Sequence, residues 1–157
     1  MKEVTLKSIM KVCQMDELSP EDRELVKVAI KQTDISYAPY SHFHVGAAIR
    51  LANGLIIPGC NQENAAFPAG LCAERAAIYA AGSQYPDQAI TSLAIAARNP
   101  QGKLVAKPAS PCGTCRQVII QTETRFKQPV RILLYGTEET YVLEGIKTLM
   151  PLSFTDF

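Results

Sequence analysis

Cys72-Ala73-Glu74-Arg75-Ala76-Ala77-Ile78-Tyr79-Ala80-Ala81 joins a thiol and a carboxylate to an alanine-rich run, and its reading decides how the rest of the chain is organised. Alanine is the best helix former, so this run predicts a helix that stops at Gly82. Further on, Pro111-Cys112-Gly113-Thr114-Cys115-Arg116-Gln117 opens a second predicted helix, from Cys112 to about Phe126, with Val118, Ile119 and Thr122 inward. Both sets of cysteines are therefore expected at helix N-termini. Unsatisfied N–H groups and the positive end of the helix dipole favour anions there, which is the environment a thiolate needs.

Outward from these helices, Thr91 to Ala97, Val130 to Tyr135 and Thr140 to Leu143 are short and β-rich, and read as strands. Phe43 to Leu51 and Leu55 to Cys60 flank Ala52-Asn53-Gly54, whose Asn-Gly pair supplies the positive φ angles of a tight β-hairpin. Ser19-Pro20-Glu21-Asp22 offers an N-cap, a proline at the first helical position and acids in the first turn. A helix starts there, with Leu25, Val28, Ala29 and Ile30 as core positions, and ends before Pro39. Residues 3–12 are ambiguous, the alternation of Val4 and Leu6 suggesting an extra strand. Helices interleaved with strands, without repeat or linker, predict one α/β domain over residues 1–157 on a mixed sheet, with residues 1–15 as an extension of unknown role.

With 157 residues, 47% of them hydrophobic, the chain can bury a core without disulfides or a structural metal. Sixteen Lys plus Arg against fifteen Asp plus Glu leave a net charge of +1, and no run of like charges lays a track for a nucleic-acid backbone. Met1-Lys2-Glu3-Val4-Thr5-Leu6-Lys7 lacks the apolar run of a signal peptide, and no later stretch reaches membrane-spanning length. A cytoplasmic protein with no membrane or nucleic-acid partner is expected. The five cysteines, odd in number and unevenly placed, suit reduced thiols or a metal better than a disulfide framework.

Cys112 and Cys115, three apart, fall on one face of a first helical turn and can share an ion, with Cys72 as third ligand. Three protein ligands with a fourth position left to water is the arrangement of catalytic zinc, whereas structural zinc closes its shell with four. One Zn2+ per chain is expected. The histidines, His42 and His44, alternate in the hairpin's first strand, share one sheet face and read as ordinary half-exposed strand residues. Glu74, two residues from Cys72 at the same helix mouth, is close enough to exchange protons with that water without being a ligand. A carboxylate so placed can take a water proton, deliver it to a ring nitrogen and help expel ammonia, as hydrolysis at an aromatic amidine carbon requires. A lone Cys-x-x-Cys would serve equally as a redox pair, and Cys-Ala-Glu alone carries nothing. A first ligand followed by x-Glu and then by Pro-Cys-x-x-Cys is, in combination, the signature of zinc deaminases of nucleobases.

In these motifs the chain resembles the cytidine deaminases of the small, three-cysteine, homotetrameric type. The resemblance runs from about Ile35 to Phe154, through Tyr37-Ala38-Pro39-Tyr40-Ser41-His42-Phe43-His44-Val45-Gly46-Ala47-Ala48, Gly59-Cys60-Asn61-Gln62-Glu63-Asn64-Ala65, Cys72-Ala73-Glu74-Arg75, Pro111 to Gln117 and Leu149-Met150-Pro151-Leu152-Ser153-Phe154. It implies a three-layer αβα fold on a mixed β-sheet, and hydrolytic deamination of cytidine and 2′-deoxycytidine to uridine, 2′-deoxyuridine and ammonia in pyrimidine salvage. A homotetramer with sites shared between subunits is implied too. So are roles: the ring of Phe43 against the pyrimidine, Asn61 and Glu63 on the ribose 3′-hydroxyl, and the Ala73 amide on the base carbonyl. The Ser110 carbonyl receives the departing amine, Phe154 reaches into a neighbouring subunit's site, and Arg75 hydrogen-bonds the zinc thiolates. Alternating at a strand end, Asn61 and Glu63 can point to one side, one donating and the other accepting.

The sequence departs from the family pattern at Gln121, where an acidic residue is usual, in the approach Phe67-Pro68-Ala69-Gly70-Leu71, and in its longer N-terminus. Gln121 puts a structural contact of its helix in question, and the Pro-Ala-Gly loop bears on the pocket and hence on substrate preference. Among competing readings, a blasticidin-type aminonucleoside deaminase is opposed by the Asn61/Glu63 pair, a catalytically dead zinc module by Glu74, and a dithiol redox protein by Cys72 and Glu74. Polynucleotide editing lacks an electrostatic track for a strand.

Overall fold

The computed structural model describes residues 1–155. Its six strands are β1 (Lys11–Cys13), β2 (His44–Leu51), β3 (Ile56–Cys60), β4 (Ile90–Arg98), β5 (Arg131–Tyr135) and β6 (Thr140–Glu144), forming one sheet in the order β1-β6-β5-β4-β2-β3. β4 and β5 pair in parallel and the other neighbours are antiparallel, so the sheet is mixed. Helix α1 (Pro20–Thr33) covers one face; α2 (Ala73–Gln84) and α3 (Gly113–Phe126) cover the other. The three-layer αβα architecture follows.

Alternation along the strands divides the two faces. Ala47, Ile49, Leu93, Ile95, Ile132 and Leu134 pack with Ala73, Ala77, Ile78, Ile119 and Ile120 of the α2/α3 layer. Ala48, Ala94, Ala96 and Leu133 pack with Leu25, Val26 and Ala29 of α1. Strands buried on both sides read as continuous apolar runs, and these do. Two glycines set how closely the helices approach the hairpin. A Cβ on Gly46 would lie 2.0 Å from the Ala29 carbonyl oxygen of α1, and one on Gly59 would lie 2.5 Å from the Ala73 carbonyl oxygen of α2.

Several local expectations are corrected. Helix α2 runs through Gly82 to Gln84; Gly82 faces open space, and a glycine's cost of about 1 kcal/mol is too small to end a helix anchored by Ala77, Ile78 and Ala81. In the hairpin turn Gly54 has positive φ and Asn53 does not; the turn closes from Gly54 N–H to the Leu51 carbonyl at 2.9 Å, while Asn53 Oδ1 accepts the Leu55 N–H. The extra strand is Lys11–Cys13, paired with β6, rather than the exposed Val4/Leu6 stretch. His42 lies outside the sheet with φ 54°, so it does not share a face with His44, whose Nδ1 meets Ser36 Oγ at 2.6 Å.

Ser19 caps α1 as expected, its Oγ accepting the Asp22 N–H at 3.1 Å. The helix buries Leu25, Val26 and Ala29, with Val28 and Ile30 half-buried beside them. In α3, Ile119 and Ile120 are buried and Val118 and Thr122 half-buried. Gln121 is exposed, and the buried carboxylate of that helix is Glu123, whose Oε1 accepts the N–H groups of Val130 and Ile146, each at 2.9 Å. No helix among the described residues is long and apolar enough to cross a membrane.

The close approach at Gly46 is testable. Gly46→Ala forces backbone against backbone and is expected to cost about 3 kcal/mol or more, a fall in Tm on the order of 10 °C. Gly82→Ala, at an open helical position, is expected to leave Tm unchanged or raise it. A Gly46→Ala protein melting within about 2 °C of wild type would contradict this packing.

Candidate active site

Strand β3 leads into α2 and β4 leads into α3. Because β2 is antiparallel to both β3 and β4, these two strands run in the same direction and their helices start at the same end of the sheet. Ligand sites of α/β sheets form beyond the carboxyl ends of parallel strands. Here the topology delivers Cys72 as the N-cap of α2, Cys112 as the N-cap of α3, and Cys115 in the first turn of α3. Their Sγ atoms all lie within 4.8 Å of one another, with Cys72 and Cys112 at 3.9 Å. Neither N-cap thiol makes a side-chain capping hydrogen bond, so neither sulfur is spent on its own helix.

Hydrogen bonds, first from Cys115 and then from Arg75 and Cys112, lower the Cys72 thiol to about 5 against the opposing effect of burial. The Cys115 thiol is pushed up by donating to Cys72 and by its burial. Arg75 Nη2 donates to Cys72 Sγ at 3.5 Å, while its Nε is buried without a partner. Three soft sulfur donors converging at two helix N-termini fit a zinc ion, with the guanidinium offsetting the charge of the thiolates. Glu74, in the first turn of α2, is 4% exposed; burial raises its carboxyl, and the negative charge of Cys72 adds to this.

A cavity of about 720 Å3 opens on the cluster, within the usual range for a small-molecule site. Cys72, Cys112, Glu74 and Arg75 line it together with Phe43, Asn61, Glu63 and Ser110, so most of the residues singled out from sequence are gathered in one place. Ala73 and Cys115 are fully buried behind that lining. Phe154 is not part of the lining; it is 65% exposed, with its carbonyl held by Gln117 Nε2 at 2.8 Å. Phe67, Gly70 and Leu71 of the unusual loop do line the cavity. The ring of Phe67 meets that of Tyr40 edge to face at 6.2 Å, a contact between distant segments that no local pattern announces.

Asn61 and Glu63 both turn toward residues 40–45. Asn61 Oδ1 accepts the Val45 N–H at 2.8 Å and its Nδ2 donates to the Phe43 carbonyl at 2.9 Å. Glu63 Oε2 accepts the N–H groups of Tyr40 and Ser41 at 2.8 and 3.2 Å, and Oε1 accepts the Ser41 hydroxyl. These donors, Ser41 first, hold the Glu63 carboxyl below the usual carboxylate range. The sequence marked the pair as facing one side; it did not reveal that both brace the segment carrying Phe43.

Residues 19–128 match the family model described as the cytidine and deoxycytidylate deaminase zinc-binding region. The chain belongs to that family. A cytidine deaminase of Halalkalibacterium halodurans is 39% identical over 101 residues, covering 64% of this chain and 71% of that protein. A blasticidin-S deaminase of Bacillus cereus is 33% identical over 141 residues, covering 88% of this chain and 95% of that protein. Among solved structures, a cytidine deaminase from Burkholderia pseudomallei superposes with a TM-score of 0.71 at 31% identity, covering 83% of this chain and 97% of that one. Zinc is the cofactor of this deaminase domain, and the cluster of Cys72, Cys112 and Cys115 has the chemistry to hold it.

If those thiols are the ligands, Cys112→Ala should lose bound zinc while Cys13→Ala and Cys60→Ala keep about one ion per chain. Elemental analysis after gel filtration reads this directly. Full zinc occupancy in Cys112→Ala would remove that residue from the ligand set.

Proposed function

We propose that this chain hydrolyses cytidine and 2′-deoxycytidine to uridine and 2′-deoxyuridine, releasing ammonia, as a pyrimidine-salvage enzyme. The observation that carries the reading is a buried carboxylate, Glu74, lining the same nucleoside-sized cavity as a three-thiol cluster. Zinc held by Cys72, Cys112 and Cys115 supplies Lewis acidity that makes a water nucleophilic at neutral pH. Glu74 takes a proton from the attacking water, delivers it to the ring nitrogen beside the reacting carbon, and carries a proton to the departing amine. One water is consumed and one ammonia released, so Glu74 ends as it began.

The other residues bind and orient. Phe43 packs against the pyrimidine, and Asn61 and Glu63 hold the ribose 3′-hydroxyl. The Ala73 amide, whose N–H has no partner within its own helix, donates to the base carbonyl, and the Ser110 carbonyl accepts the amine. Arg75 stabilises the thiolates. Phe154 reaches a neighbouring subunit's cavity in a homotetramer, a reading supported by the exposure of Phe67, Leu152 and Phe154 in the single chain. We also propose that residues 1–157 act as one domain and work in the cytoplasm, where five free thiols stay reduced. A second substrate is favoured by one observation: the blasticidin-S deaminase likeness spans 88% of the chain, so blasticidin S belongs in the same assay.

Ultraviolet monitoring of cytidine, 2′-deoxycytidine, cytosine and blasticidin S with the zinc-loaded protein tests this function, and absence of cytidine turnover would sink it. Glu74→Gln is expected to keep zinc and lose turnover by on the order of a hundredfold or more; a loss of only a few fold would remove Glu74 from the chemistry. Cytosine should be worse than cytidine by about a hundredfold, since without the sugar contact the reacting carbon loses the remote binding that positions it. Glu63→Ala should narrow that gap by damaging cytidine turnover more than cytosine turnover. Light scattering is expected to give four chains per particle, and an active monomer would contradict the shared site.

A further inference from the structure

Ser41 lines the cavity, and the chemistry proposed for the site gives it no role. Its single hydroxyl serves two partners: Oγ accepts the Phe43 N–H at 3.0 Å and donates to Oε1 of Glu63. The intervening His42 is left-handed, with φ 54°, a backbone state that residues other than glycine keep only when their surroundings hold them there. The bonds available to hold it are those of this turn: His42 N–H to the Ala38 carbonyl at 3.1 Å, Tyr40 and Ser41 N–H to Glu63 Oε2, and Phe43 N–H to Ser41 Oγ. A continuous chain thus runs from the Phe43 backbone through the Ser41 hydroxyl to the Glu63 carboxylate. Chains of hydrogen bonds polarise one another, and a carboxylate offers roughly four acceptor directions. Three protein donors leave Glu63 room for one more.

Resting on the reading of Phe43 as the base platform and Glu63 as the sugar reader, we propose that Ser41 is a positioning residue that joins the two through the Phe43 N–H···Ser41 Oγ–H···Glu63 chain. One hydroxyl fixes the rotamer of Glu63 and the backbone of Phe43 together, so the sugar and base contacts are pre-organised as a unit. The substrate class it serves is a cytosine nucleoside with a free 3′-hydroxyl. A base or nucleoside lacking that hydroxyl uses only the Phe43 end of the chain. Pre-organisation of this kind appears in the specificity constant and in non-additivity, not in fold stability, because Ser41 is exposed and outside the core.

The test compares zinc-loaded wild type with Ser41→Ala, Ser41→Thr, Glu63→Ala and the Ser41→Ala/Glu63→Ala double variant, on cytidine and 3′-deoxycytidine, with hydrogen exchange at the Phe43 amide read in parallel. Ser41→Ala is expected to lower kcat/KM for cytidine about tenfold or more, to lower it several-fold less for 3′-deoxycytidine, and to speed exchange at Phe43. Ser41→Thr, which keeps the hydroxyl, should stay within about threefold of wild type, and in the Glu63→Ala background the alanine should cost less than about threefold more. Additive losses, equal losses on both substrates, a threonine as damaging as alanine, or unchanged exchange at Phe43 would each overturn the coupling. Failure of the wild type to deaminate cytidine would overturn the functional reading instead, and is told apart because exchange at Phe43 reports on the chain without turnover.

Discussion

Three cysteine sulfurs within 4.8 Å of one another make a cluster that cannot be fully ionised without a cation, and the architecture around it is arranged to bear that charge. Two helix N-termini point their unsatisfied N–H groups at the same place, and Arg75 adds a guanidinium hydrogen-bonded to Cys72. Hydrogen bonding among the thiols favours the thiolate at Cys72 and the protonated thiol at Cys115. Two crossovers, β3-α2-β4 and β4-α3-β5, are what put both helix starts at one end of the sheet.

That convergence depends in turn on how closely the helices seat on the hairpin. Gly46 admits the backbone of α1 and Gly59 that of α2, from opposite faces of adjacent strands. Alanines at 48, 94 and 96 keep the α1 side of the sheet shallow, while Ile49, Leu93 and Ile95 fill the space under α2 and α3. Since the Ala73 carbonyl abuts Gly59, the seating of α2 also sets the position of the Cys72-Ala73-Glu74 turn relative to β3.

β3 carries the other half of the cavity. Past its end, Asn61 and Glu63 reach back to the start of β2 and the segment before it, bonding Tyr40, Ser41, Phe43 and Val45. The side chains proposed to read the sugar are therefore the same ones that shape the platform proposed for the base. A protein group that orients another before substrate arrives lowers the cost of ordering both on binding, which is where remote contacts gain their leverage on the reacting carbon.

Much of this was legible in the order of residues. Short-range physics dictates that an alanine-rich run is helical, that Ser19-Pro20 starts a helix, and that short apolar segments rich in β-formers are strands; the Cys-x-x-Cys spacing follows from the helical turn, so the thiol set was readable once both helices were placed. Motif order carried the candidates Phe43, Asn61, Glu63 and Ser110, and the structure gathers them around one cavity. What sequence could not supply depends on residues far apart in the chain. Helix α2 outruns Gly82 because its inner face is packed, β1 forms where β6 offers an edge, and His42 turns left-handed inside a turn bonded to Ala38 and Glu63. Glu123 is a buried carboxylate because two backbone N–H groups from distant segments meet it, and Ser41 links Phe43 to Glu63 because β3 brings position 63 beside position 41. Local sequence sets propensity and spacing, but a hydrogen bond between distant segments exists only after the sheet has fixed where each segment lies.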